Sequence, residues 1–109
     1  MSVELSPHNN DAERGEHMLY HILCKDKSGH LQTRLDNREA HLAVVNTLGD
    51  RLFAAGPLLN EQDEMVGSVL IIDFDSDEAA SEFCAADPYA QAGLFEEVTI
   101  SRWRKTLPN

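Results

Sequence analysis

The sequence predicts an α+β domain: an antiparallel four-stranded sheet with two helices on one face. Three observations predict it. Four short apolar runs rich in strand formers are separated by turn residues, two stretches between them carry helical end signals, and the order is strand-helix-strand-strand-helix-strand. That order is the split βαβ, ferredoxin-like arrangement. With 109 residues and 12.2 kDa, the chain has room for one such domain and little else.

Residues 1–17 show no sustained apolar period and contain Pro7, Asn9, Asn10 and Gly15, so they read as a flexible leader ahead of a domain spanning 18–109. MLYHILC at 18–24 is the first strand, closed by the polar run that ends at Gly29. Asp36 and Glu39 have the spacing of a capping box, which would start the first helix there. Leu42, Val45 and Leu48 supply its apolar stripe and Gly49 its stop, while Leu31 and Leu35 could carry the helix a turn backwards. Residues 51–56 read as a second strand closed by Gly56-Pro57, and 66–74 (VGSVLIIDF) as the third and strongest. Ser76 is an N-cap, with Asp77 and Glu78 suited to the positive end of a helix that Asp87-Pro88 ends. Residues 95–103 (FEEVTISRW) form the last strand.

Two helices cover only one face of such a sheet. The third strand is apolar on both faces, with Val69 and Ile71 on one and Leu70, Ile72 and Phe74 on the other. Leaving either set in water forfeits roughly 2 kcal/mol per large side chain. A homodimer through the open sheet face is therefore expected.

Charge narrows the partners. Nine basic residues against 19 acidic give a net charge of -10, which repels phosphate backbones and anionic lipid, so neither nucleic acid nor a membrane surface is expected. No apolar run reaches the roughly 18 residues of a membrane span. Cys24 and Cys84 are too few for a disulfide framework and read as free thiols filling apolar space, which points to the cytoplasm. Asp73, Asp75 and Asp77 copy the start of a calcium loop, but Glu78 and Cys84 stand where glycine and glutamate are needed. No metal site or cofactor fingerprint is read.

The predicted topology gathers chemistry at one rim. His41 in the first or second turn of the first helix, Gly56-Pro57, Gly67-Ser68 and Asp87-Pro88-Tyr89 all map to the same edge. Histidine changes charge near neutral pH, and an aspartate beside it fixes the tautomer and stabilises the imidazolium. Arg38 lies three residues before His41 and could hold an anionic substrate or the aspartate, and Tyr89 offers a hydroxyl and an aromatic wall. Spacing alone leaves duller roles open: a histidine bonded to backbone, an aspartate starting a turn, a surface arginine, a packing tyrosine.

Arg38-Glu39-Ala40-His41-Leu42, Ala55-Gly56-Pro57, Gly67-Ser68 and the run from Asp87 to Phe95 (DPYAQAGLF), in that order, resemble the YciI-like, YCII-related domain proteins from Met18 to about Arg104. The resemblance implies a dimeric α+β barrel with a site around a histidine and an aspartate, here His41 and Asp87. Most members have no known biochemical function; one activity in the family is dehydrochlorination of a chlorinated hydroxyhydroquinone. Glu39 departs from a proline common in the family, yet glutamate also starts helices. The expectation is a cofactor-independent enzyme in which His41 and Asp87 perform acid–base elimination or isomerisation on a small polar or aromatic compound. Arg38, Gly56, Pro57, Ser68 and Tyr89 would contact that substrate. The alternative is a non-catalytic ligand-binding or regulatory homodimer.

Overall fold

The computed structural model describes residues 2–5, as a strand, and residues 18–108. The elements are β1 (Ser2–Leu5), β2 (Leu19–Asp26), α1 (Leu31–Asn46), β3 (Leu52–Leu59), β4 (Met65–Asp73), α2 (Asp77–Ala86), α3 (Pro88–Gln91) and β5 (Phe95–Trp103), with a short 3₁₀ turn at Gly49–Arg51 before β3. The sheet order is β1-β5-β2-β4-β3, and the four strands from β2 onward are antiparallel, as the ferredoxin-like reading expects. No helix among the described residues is long and apolar enough to cross a membrane.

The N-terminal segment departs from a wholly flexible leader. Ser2–Leu5 pairs in parallel with β5, Val3 opposite Val98. Four residues of alternating polar and apolar type suffice there because β5 would otherwise present a row of unpaired backbone groups. The rest of the leader lies outside the described residues.

Apolar alternation sets the sheet faces. Tyr20, Ile22 and Cys24 on β2, Leu70 and Ile72 on β4, and Val98 and Ile100 on β5 are buried, as are Ala80 and Cys84 of α2 and Val45 of α1. On the opposite face His21 pairs with Ile71 and Leu23 with Val69, and all four stay half-buried. β3 is an edge strand, exposed along nearly its whole length, with Phe53, Leu58 and Leu59 open to solvent. It runs on past Gly56-Pro57, which therefore do not close it.

α1 differs most from expectation. It starts at Leu31, after Gly29 turns the chain at φ +73°, and no side chain caps it. Asp36 is not a capping residue but a mid-helix one, accepting a hydrogen bond from Gln32 Nε2 at 2.8 Å. His41 accordingly sits in the third turn. Leu35 and Leu42 are exposed, and the inward face consists of Arg34, His41 and Val45. Two of those three are polar because the face looks onto a cleft rather than onto sealed core.

Two other signals hold. Ser76 Oγ accepts from the Ala79 N–H at 3.0 Å and starts α2. Gly67 brings β4 close to β2, since a Cβ there would lie 2.5 Å from the Cys24 carbonyl oxygen. That close approach sets the position of the next residue, Ser68.

Candidate functional site

α1, β3, β4 and α3 enclose a cleft of about 150 Å³. Its apolar wall includes Leu42, Val45, Ala55 and Leu70, and its polar lining comes from Arg34, Arg38, His41, Ser68 and Tyr89.

Asp87 is fixed by local structure. It ends α2 and caps α3, its Oδ1 accepting the Tyr89 N–H at 2.9 Å while Pro88 fills the first helical position. The same Oδ1 lies 2.9 Å from His41 Nδ1, across a separation of 46 residues, and both side chains are buried. An ionised carboxylate only accepts, so a neutral His41 facing it carries its proton on Nδ1 and has its lone pair on Nε2. Nε2 has no hydrogen-bond partner among the described residues. The imidazole also stacks on the Tyr89 ring, centroids 4.0 Å apart and planes 13° from parallel, and Phe95 meets that tyrosine edge-on at 6.0 Å. The ring that carries Nε2 is thus held by a charge and by an aromatic plate.

The expected duller role of Asp87, starting a turn before Pro88, is real and coexists with the histidine contact. Tyr89 both packs and lines the cleft. Burial raises its hydroxyl pKa although Arg34 and Arg38 pull the other way, so the phenol stays protonated at neutral pH. Arg38 is exposed at the cleft, and among the described residues its guanidinium makes no hydrogen bond or ion pair. It does not hold Asp87. Pro57 and Gly56 line the cleft from β3, but a Cβ on Gly56 would meet nothing within 4 Å, so close backbone approach is not the reason for glycine there.

Arg34 and Asp26 are the polar pair that sequence reasoning misses. Arg34 Nε donates to Asp26 Oδ2 at 2.7 Å and Nη2 to Asp26 Oδ1 at 2.9 Å, a two-pronged contact with both side chains almost wholly buried. Nη2 also donates to Ser68 Oγ at 2.9 Å, and the guanidinium lies over the Tyr89 ring, 4.6 Å from its centre. Burial works to lower the Arg34 pKa, but the hydrogen bond and charge of Asp26 outweigh it and raise it. A usable signal exists: Arg34, His41 and Val45 are seven and four residues apart, one face of a helix.

Cys24 and Cys84 are buried free thiols. Burial pushes both pKa values up, Cys84 to about 12, so neither is a thiolate nucleophile at neutral pH. Among the described residues no group of three or more His, Cys, Asp or Glu side chains could hold a metal ion.

Fold and site together define a small ferredoxin-like α+β protein with a buried, hydrogen-bonded histidine–aspartate pair at the side of an open cleft. Residues 18–104 match the YCII-related domain, and the chain belongs to that family. It is 41% identical over 98 residues to Protein YciI of Escherichia coli O6:H1, covering 83% of this chain and all of that protein. An uncharacterized protein of Haemophilus influenzae is 35% identical over the same shares. Among solved structures, the 5-chloro-2-hydroxyhydroquinone dehydrochlorinase TftG of Burkholderia phenoliruptrix, in complex with 2,5-dihydroxybenzoquinone, is similar with a TM-score of 0.77 and 36% identity, over 82% of this chain and 96% of that one.

Proposed function

We propose that the protein is a small acid–base enzyme in which His41 Nε2 takes a proton from a single-ring or similarly small compound and returns it, giving elimination or isomerisation. The observation that carries the reading is the 2.9 Å bond from His41 Nδ1 to Asp87. It leaves the other nitrogen basic and stabilises the imidazolium once the proton has moved. The electron pair released from the substrate then expels a leaving group or shifts a double bond, and the proton goes back from Nε2. Arg38, Gly56, Pro57, Ser68 and Tyr89 contact the substrate in this reading. The size supports it too, since a cavity of about 150 Å³ accepts benzene in another protein.

A non-catalytic binding dimer predicts a His41 held by backbone alone or a filled cleft. The carboxylate contact and the open space weigh against it. The kinship with TftG makes 5-chloro-2-hydroxyhydroquinone the first substrate to assay, by chloride release. A panel of hydroxy- and keto-substituted rings in D₂O, with hydrogen exchange read by NMR, extends the assay beyond elimination. His41→Gln, with its circular dichroism spectrum intact, should lower either rate at least about 100-fold. An unchanged rate rejects the assignment.

A homodimer belongs to the same proposal. Val69, Ile71, His21 and Leu23 share the sheet face that the helices leave open, and a second copy of that face is the simplest cover. Sedimentation at micromolar concentration should give two chains; a mass of one removes the dimer from the reading. The two free thiols suit a reducing compartment, so we place the protein in the cytoplasm.

A further inference from the structure

The cleft holds donors that the histidine–aspartate pair leaves unexplained. Ser68 is 4% exposed and its Oγ accepts a hydrogen bond from Arg34 Nη2 at 2.9 Å. A guanidinium can only donate, so that contact uses a serine lone pair and leaves the hydroxyl hydrogen unspent. Among the described residues no acceptor takes it. Buried hydroxyls ordinarily find a partner, and the open space beside Ser68 is where one can enter. Arg34 cannot swing away, because Asp26 grips it at 2.7 and 2.9 Å and the Tyr89 ring lies against it. Arg38, exposed at the same cleft, adds a cationic donor with no hydrogen bond or ion pair among the described residues. The two nearby carboxylates are already engaged, Asp26 by Arg34 and Asp87 by His41. In a chain of net charge -10, this is a site that offers hydrogen bonds and a positive charge to an incoming oxygen.

We infer that Asp26 and Arg34 are positioning residues that hold the Ser68 hydroxyl as the donor to a developing oxyanion, with Arg38 beside it, so that the substrates are single-ring phenols and enolisable ketones. The inference rests on the acid–base reading and names its substrate class. When the phenol O–H or the α C–H bond breaks, the proton goes to His41 Nε2. The electron pair remains on, or moves to, the substrate oxygen, which Ser68 and Arg38 then hydrogen-bond. No oxidant or second reactant is needed.

4-Nitrophenol tests this directly, because its anion absorbs visible light and its neutral form does not. Titrated on the intact protein, the bound probe should ionise at a pH lower by at least about one unit than the free probe, a tenfold gain in the anion's favour. Ser68→Ala should remove most of that shift, and Arg34→Lys should do the same by leaving the hydroxyl unheld. His41→Gln should keep the greater part of it while abolishing turnover. No binding of the probe at millimolar concentration, no shift in the unaltered protein, or an equal shift in Ser68→Ala overturns the inference. Ser68→Ala removes a single oxygen, so it decides the matter even if Arg34→Lys fails to fold. A persistent Ser68-dependent shift with turnover indifferent to His41 would instead reject the acid–base reading alone.

Discussion

Asp87→Asn is expected to reduce turnover about 10³- to 10⁴-fold while leaving the fold and its stability nearly unchanged. Asparagine caps a helix as well as aspartate does, so the Tyr89 N–H keeps its acceptor and α3 keeps its start. What changes is the imidazole. A carboxylate at 2.9 Å accepts from Nδ1 whatever its orientation, whereas an amide can present its NH₂ group instead and hold His41 in the other tautomer, with the proton on Nε2. A histidine in that form has no lone pair to offer the cleft. The imidazolium formed after proton transfer also loses its counter-charge. In serine proteases the corresponding change costs about 10⁴ in rate. Chloride release or deuterium exchange measures the rate, and thermal unfolding measures the fold. Full activity in Asp87→Asn would mean that the carboxylate does no more than cap α3.

The largest stability effect is expected at Arg34. Arg34→Met strips Asp26 of two hydrogen bonds and its counter-charge and removes the donor to Ser68, all in near-complete burial. Breaking a buried ion pair from one side costs about 3–5 kcal/mol because the surviving charge is stranded, and a fall of that size in urea unfolding is the expected result. The double variant Asp26→Leu/Arg34→Met should recover most of the loss, since it strands nothing. If Arg34→Met alone were neutral, water would have to reach Asp26 freely. Recovery in the double variant would mean that the pair serves geometry at the cleft more than net stability.

The antiparallel sheet and its two covering helices were legible because each rests on local signals: period-two apolar runs for β2, β4 and β5, and the Ser76 cap and Asp87-Pro88 stop for α2. β1 was not, since four alternating residues cannot outweigh the Pro and Asn that follow; only the unpaired edge of β5 gives them a reason to order. The start of α1 misled for a similar reason. Asp36 and Glu39 have the right types and spacing for a cap, but the helix already runs from Leu31 without one.

At the site, topology alone brought His41 and Asp87 to a common rim across 46 residues. Arg38 is legible as a candidate because it stands three residues before His41 on the helix. Arg34, two turns from His41, is the one that faces inward, and its partners Asp26 and Ser68 come from β2 and β4. Pairings of that kind depend on which strands become neighbours, and no local pattern announces them.

One consequence follows from the two lateral strands of the sheet. β1 offers only four residues, and the outer strand β3 carries Pro57, which has no amide hydrogen to give. Neither border is a good template for an added strand, so runaway stacking of chains edge to edge into fibrils is disfavoured despite the oily side chains displayed on β3.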